Sequence, residues 1–294
     1  LINTVSKFMI RNRGKNIRPI LTILTARLCG GPSKESYLAA TMMELLHLAT
    51  LIHDDVVDDA TLRRGKPSIN IVWRNKLSVL MGDFLLSKAL INMIRLKDFD
   101  ALEKISNTAE KLSAGEILQI EKTFTKSMDE ETYFEMIEQK TASLIATSCE
   151  LGAITSTKNE KDRKAAYYFG QNFGIAFQIK DDVFDLLGHE KDTGKNGGGD
   201  VKKNMITLPL IFAKNNLSKN GKNKLTKLMK KKKKDKKVLR QINELVMEVG
   251  GIDYAKKKIN YYSELAINAI DFYPESSIKE SLSDLVSFNV FRKK

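Results

Sequence analysis

The sequence predicts an all-α protein, and three observations carry that expectation. Apolar residues recur at intervals of three and four along most of the 294-residue chain, the spacing of one face of a helix. Alternation of apolar and polar residues over more than a few positions is hard to find, so half-buried strands are not expected. Glycine (17) and proline (5) are sparse and fall mainly between the periodic runs, where they punctuate helices.

The first strong run extends from Ser33 to Val57, with Leu38, Met42, Leu45, Leu46, Ala49, Ile52 and Val56 on its period. Ser33 stands ahead of it as a start signal, with Glu35 and Ser36 in the first turn. Further runs follow at Leu77 to Ile94, Leu102 to Ile120, Glu130 to Ile154, Asp162 to Leu187, Leu208 to Lys214, Lys236 to Val249 and Asp253 to Ile270. The breakers between them are Gly30-Gly31-Pro32, Arg64 to Pro67, Gly188 to Gly199, Asn215 to Asn223 and Gly250-Gly251. No Pro/Ser-rich linker divides the chain and no fixed-period repeat appears, so residues 1–294 are expected to form a single domain. The segment from His189 to Asp200, rich in glycine, reads as a flexible loop directly after an aspartate-rich helix.

The composition, 42% hydrophobic and 29% charged, excludes a disordered or collagenous chain. The two cysteines, Cys29 and Cys149, lack Cys or His neighbours at ligand spacing, which argues against a zinc site or a disulfide framework and for a reducing, cytoplasmic setting. No uninterrupted apolar run approaches the ~18 residues of a membrane span and no signal-peptide pattern opens the chain, so a soluble protein is expected. Because the sequence begins at Leu1 rather than Met, a native N-terminal piece is expected to be missing. The 49 Lys and Arg against 36 Asp and Glu give a net charge of +13, which points to anionic partners. The dense run from Lys230 to Lys237 supplies seven of those positive charges and reads as a solvated helix end or loop.

Two pentapeptides carry the chemistry: Asp54-Asp55-Val56-Val57-Asp58 and Asp181-Asp182-Val183-Phe184-Asp185. Residues four apart share a helix face, so Asp54 projects with Asp58 and Asp181 with Asp185. Like charges at that spacing destabilise a helix unless a cation offsets them. Magnesium suits the task, because it takes a few carboxylates together with water and phosphate oxygens. Both motifs lie in apolar helices, which acidic solvated faces rarely do. His47 precedes Asp54 by two helical turns, and Gln178 precedes Asp181 by three residues on the same face. Arg63 and Arg64 follow the first motif, and Lys15 and Arg18 stand before Pro19. Such a set suits a substrate pair with two diphosphates, one bridged by metal and the other held by Arg, Lys and His donors.

At these residues the chain resembles the trans-isoprenyl diphosphate synthases of the polyprenyl synthetase family, whose two aspartate-rich motifs read DDxxD. Matching pieces are Gly14-Lys15 and Arg18-Pro19, Glu44 through Arg64-Gly65, Gly82-Asp83-Phe84, Gly115-Glu116 with Gln119, Lys140-Thr141, Gly170-Gln171, Phe177-Gln178 through Asp185, Thr193-Gly194-Lys195, Asp200 and Thr207-Leu208-Pro209. The resemblance implies a helical bundle of the isoprenoid synthase type with a central apolar cavity. It implies that Asp54, Asp58 and Asp181 hold three magnesium ions on the allylic diphosphate, with Asp55, Asp182 and Asp185 in support. Arg63, Lys140, Thr141, Gln178 and Lys195 would contact the same diphosphate, while Lys15, Arg18, His47 and Arg64 would bind isopentenyl diphosphate. Two departures stand out: Asn16 occupies a position usually held by Arg, and Met205 one usually held by Lys, with Lys202 or Lys203 as substitutes.

The implied reaction is ionisation of the allylic diphosphate, attack by the alkene of isopentenyl diphosphate and loss of a proton. The family also implies a homodimer, for which the apolar Leu77 to Ile94 helix is the candidate surface. Ala49 and Thr50, five and four residues before Asp54, are small where short-chain synthases of this kind place an aromatic. An open tunnel there implies a product of thirty to forty carbons, as octaprenyl and heptaprenyl synthases make for quinone side chains, with membrane contact for its release. The alternative is early closure by Met42, Met81 or Leu118 and a short product such as a farnesyl or geranylgeranyl chain. A terpene cyclase is disfavoured by the complete second motif and the Lys15/Arg18 segment, and a phosphohydrolase built on His53-Asp54 by the shortage of further histidines. A non-catalytic subunit would be expected to have lost an aspartate motif, and a nucleic-acid binder to interleave aromatics with its lysines.

Overall fold

A computed structural model of the chain describes residues 1–11, 14–63, 65–125, 127–188 and 198–292. The expected runs are helical, and further helices precede Ser33 and follow Ile270: the order is α1 (Ile2–Arg11), α2 (Ile17–Leu28), α3 (Lys34–Val57), α4 (Ile69–Leu96), α5 (Phe99–Thr125), α6 (Glu130–Ile137), α7 (Ser143–Ile154) and α8 (Glu160–Leu187). They continue as α9 (Gly199–Lys202), α10 (Leu208–Asn216), α11 (Lys219–Met229), α12 (Lys236–Glu248), α13 (Gly251–Ala269) and α14 (Ser277–Phe291). Strand structure among the described residues is confined to a two-residue antiparallel pair, β1 (Leu62–Arg63) with β2 (Lys66–Pro67), Leu62 facing Pro67. The described chain is all-α, as the sequence predicts.

The chain divides into two compact units. One comprises Leu1–Ala109, Leu144–Gly170 and Tyr273–Leu282; the other comprises Glu110–Ser143, Gln171–Phe272 and Ser283–Lys294. In the first unit α3 begins at a reciprocal cap, in which Ser33 Oγ accepts from the Ser36 N–H and Ser36 Oγ from the Ser33 N–H. Its inner face meets α1 and α4 in an apolar cluster of Val5, Ala49, Ile52, Ile69, Met81 and Leu85. Helix α4 is kinked at Arg74, where φ is 68°, so its straight part starts close to the expected Leu77. An 18-residue window of α4 is apolar enough on average to cross a bilayer by composition, although polar and charged residues such as Asp83 and Lys88 interrupt the helix, so no uninterrupted apolar run of that length exists. A third of that window (33%) is buried in the fold. Exposed apolar side chains along α4 as a whole include Ile71, Val72, Leu80, Leu90, Ile91 and Ile94.

The second unit is built on a core that includes Tyr133, Ile137, Ile179, Leu208, Ile211, Ile242 and Ile259. Phe212 of α10 stacks on Tyr254 of α13 with ring centroids 4.3 Å apart. Two expectations are corrected here. The segment expected to break the chain through Asn223 is helical from Lys219, because Ser218 Oγ caps Gly221 N–H and Leu225 and Leu228 anchor α11 inward. The run expected to be one helix from Glu130 to Ile154 contains a π turn, Glu138–Ala142. The proposed loop from His189 to Asp200 lies outside the described residues except at its end, where Gly199 and Asp200 open α9.

Candidate active site

The first aspartate motif closes α3. Asp54 and Asp55 lie in its last turn and Asp58 forms its C-cap, with the Asp58 N–H donating to the Asp54 carbonyl at 2.8 Å. That turn contains no basic residue. A helix C-terminus carries partial negative charge and favours cations, so aspartates placed there raise the demand for one. The three carboxylates differ in setting. Asp55 is 3% exposed, accepts from Arg63 Nε at 2.7 Å and offers its backbone carbonyl to Asn70 Nδ2. Asp54 is half-buried and Asp58 exposed. Arg63, expected on the substrate, is therefore committed through its Nε to fixing Asp55.

The same unit carries Lys15 and Arg18 at the start of α2 and the half-buried His47 on α3. A helix N-terminus flanked by two cations is a natural anion site. Asn16 occupies the left-handed region at φ 51°, ψ 40°, as N-cap of α2. Asn tolerates that conformation better than Arg, which gives the departure at this position a backbone reason. Ala49 is buried in the cluster with Met81 and Leu85, and Thr50 Oγ1 donates back to the His47 carbonyl. His53 Nε2 lies 3.3 Å from Asp83 and 3.2 Å from the Val79 carbonyl. Arg64 lies outside the described residues, as does Lys195 of the other unit.

The second motif closes α8, again with no basic residue in the last turn. Asp182, 5% exposed, is held from two sides: Tyr133 Oη donates to one oxygen at 2.6 Å and Gln178 Nε2 to the other at 2.8 Å. Thr141 Oγ1 donates to Gln178 Oε1 at 2.8 Å, so both ends of the Gln178 amide are fixed. Asp185 accepts from the N–H groups of Gly199 and Asp200 at 3.0 and 2.8 Å and so caps α9. Asp181 is paired with Arg292. Burial first, then the Asp200 charge, pushes the Asp182 carboxyl well above the usual range. Burial and the Asp185 charge push Asp200 up to about 7, against the attraction of Lys203 and Lys140. Carboxyl groups crowd this helix end closely enough that Asp182 and Asp200 are both pushed toward their neutral forms.

Lys140 and Thr141 ride on the π turn, whose extra residue alters where neighbouring side chains point. Two glycines make room for it. A Cβ on Gly115 of α5 would lie 2.7 Å from the Lys140 nitrogen, and one on Gly174 of α8 would lie 2.6 Å from the Ala142 Cα. Lys140 Nζ donates to Gln119 Oε1 at 2.9 Å and pairs with Glu116. The family resemblance matches Gly115, Glu116 and Gln119 but gives them no role. Tyr133 and Arg292 were missed altogether, the first being one apolar-periodic residue among many and the second a basic residue far along the chain from its partner.

Among the described residues, no group of three or more His, Cys, Asp or Glu side chains is gathered as a metal cage. The donor chemistry still fits magnesium, which is commonly held by one or two carboxylates and completed by water and substrate phosphate.

The family model described as Polyprenyl synthetase matches residues 1–246. An all-trans-nonaprenyl-diphosphate synthase of Rhodobacter capsulatus, described as specific for geranyl diphosphate, is 36% identical over 292 residues, 97% of this chain and 87% of that protein. A geranylgeranyl pyrophosphate synthetase structure from Pyrococcus horikoshii superimposes with a TM-score of 0.93 at 32% identity, covering 99% of this chain and 90% of that one. A polyprenyl synthase from Caulobacter crescentus, solved with calcium and isoprenyl diphosphate, gives 0.92 at 31% identity over 99% and 89%. The chain belongs to the polyprenyl synthetase family and is an enzyme of its prenyl-transferring class, a trans-prenyl diphosphate synthase.

Proposed function

We propose that this enzyme condenses isopentenyl diphosphate with an allylic diphosphate in a magnesium-dependent reaction and makes a long all-trans polyprenyl diphosphate of thirty to forty carbons. The observation that carries the reading is the pair of helix C-termini, α3 and α8, that each end in a complete aspartate motif with no basic residue in the last turn. In this reading Asp54, Asp58 and Asp181 are the metal ligands, and the buried Asp55 and Asp182 hold the motif backbones in shape. Magnesium, when bound, neutralises the allylic diphosphate and stabilises the charge that develops as it leaves. Lys140, with Gln178 and Thr141, receives the same diphosphate. Lys15, Arg18 and His47 orient isopentenyl diphosphate, and the apolar helix faces exclude the water that would quench the allylic cation. Loss of the allylic diphosphate leaves the cation, the isopentenyl alkene attacks it, and the released diphosphate removes the proton.

The long-chain assignment rests on Ala49 and Thr50. At 1.5 Å per residue Ala49 lies about 7.5 Å along α3 from Asp54, within reach of a growing tail. One observation favours the short-chain alternative: Ala49 packs against Met81 and Leu85, which narrows the space in front of it. The homodimer and a role in quinone side-chain synthesis belong to the same reading, as does a cytoplasmic location.

The test is turnover of geranyl or farnesyl diphosphate with isopentenyl diphosphate, with magnesium and with excess chelator. Activity is expected only with the ion, and Asp54→Ala is expected to reduce it by at least about two orders of magnitude, the scale for removing a principal stabiliser of transition-state charge. Undiminished turnover in chelator would overturn the metal assignment.

A further inference from the structure

We propose that the segment from Lys202 to Arg240 forms a docking surface for anionic lipid bilayers. The charge of the chain is concentrated there. These 39 residues hold fifteen Lys and Arg against one acid, Asp235, while the other 255 hold 34 Lys and Arg against 35 Asp and Glu. The net +13 is therefore the property of one stretch on an otherwise near-neutral protein.

The fold displays this charge. Helix α11 turns Leu225 and Leu228 inward and leaves Lys219, Lys222, Lys224 and Lys227 exposed. Lys230 to Lys233 follow on the turn after it, all exposed. The far end of that turn is tied down: Lys234, 6% exposed, donates to Asn204 Oδ1 at 2.8 Å, and Asp235 Oδ1 accepts from the Val238 N–H at 2.9 Å to cap α12. The single acid of the stretch serves a helix cap and the single buried lysine serves as a tether. Their neighbours are held outward.

Beside α11 lies a cleft of about 210 Å³ walled by Ile206, Leu210, Leu225 and Met229, with the exposed Lys214 and Lys230 also lining it. It is smaller than the roughly 300–1,000 Å³ of ordinary small-molecule sites, so it suits a length of hydrocarbon rather than a whole ligand. An apolar slot bordered by cations matches an anionic amphiphile in a membrane, whose headgroups meet the lysines while a chain enters the slot. Nucleic acid would satisfy the charge and leave the slot unused. The one aromatic residue in the stretch, Phe212, stacks on Tyr254, so bases would find no stacking platform there. Clusters of four to eight Lys or Arg are sufficient for binding to anionic lipid, and the attraction fades with salt. The inference draws its biological sense from the long-chain reading, because an extended polyprenyl product has no home in water, but binding itself does not depend on that reading.

The experiment is sedimentation of the full chain with vesicles of one part phosphatidylglycerol to three parts phosphatidylcholine, against pure phosphatidylcholine. A variant carrying Lys230→Glu, Lys231→Glu, Lys232→Glu and Lys233→Glu is run beside it. The wild type is expected to bind the mixed vesicles and not the neutral ones. The variant is expected to lose roughly three orders of magnitude in partitioning while keeping wild-type turnover in vesicle-free buffer. Duplex DNA at equal phosphate concentration is expected to displace little protein from the vesicles. Equal binding to neutral vesicles, unchanged binding by the variant, or tighter binding to DNA would each overturn the proposal. A protein that binds vesicles yet makes only short products would leave this surface standing and overturn the chain-length reading alone.

Discussion

Arg292 and Asp181 form an ion pair at the second aspartate motif, and the guanidinium is held there by more than charge. Its central carbon lies 4.4 Å from the Phe177 ring centroid and 5.3 Å from that of Phe184, and Nη2 also donates to the Phe177 carbonyl at 3.3 Å. Asp181 can therefore serve a metal ion only if this pair is loosened or shared. Arg292→Ala should tighten manganese binding to the substrate-free enzyme by roughly fivefold, the scale of a partly exposed pair. Calorimetric titration reads it directly, and an unchanged affinity would show that the pair and the metal do not compete.

Tyr133 is fully buried, and its hydroxyl is one of two donors to the buried Asp182. Tyr133→Phe keeps the ring and its packing but leaves a buried carboxyl oxygen without that donor. The expected loss is about 1–3 kcal/mol of stability, measured by urea unfolding. A loss below a few tenths would mean that Asp182 is satisfied without the tyrosine.

The π turn depends on two glycines. Gly174→Ala places a Cβ against the Ala142 backbone, where a neighbouring helix and not a flexible side-chain tip must give way. About 1–3 kcal/mol of destabilisation is expected, together with a fall in kcat/KM larger than that of a surface Ala substitution of equal thermal effect, because Lys140 and Thr141 move with the turn. Equal stability and full activity would remove the argument.

Much of this was legible in the sequence. The α3 boundaries followed from Ser33 and the three-and-four spacing, because a capping serine and a continuous apolar face are local signals. Both aspartate motifs were legible because their spacing matches the helix period. The π turn was not, since one inserted residue among apolar neighbours leaves the Glu130 to Ile154 pattern looking continuous. Helix α11 was hidden by its own lysines and asparagines, which leave only Leu225 and Leu228 as inward anchors. The Tyr133 and Arg292 contacts join residues 49 and 111 positions apart, and no local pattern announces such pairs.

The exposed apolar side of α4, with Ile71, Val72, Leu80, Leu90, Ile91 and Ile94, is the kind of surface that a second copy covers. Light scattering at micromolar concentration should give twice the 33.2 kDa chain mass. Leu80→Lys combined with Ile91→Lys should shift it toward the monomer. A monomeric wild type would contradict the homodimer.

The chain-length assignment is the central claim, and chromatography of the dephosphorylated products of the wild-type enzyme tests it most directly. With farnesyl diphosphate, excess isopentenyl diphosphate and magnesium, alcohols of thirty to forty carbons should dominate, and Ala49→Tyr should shorten them. A wild-type product that stops at fifteen or twenty carbons would contradict the account and assign the early stop to the packing of Met81 and Leu85 against Ala49.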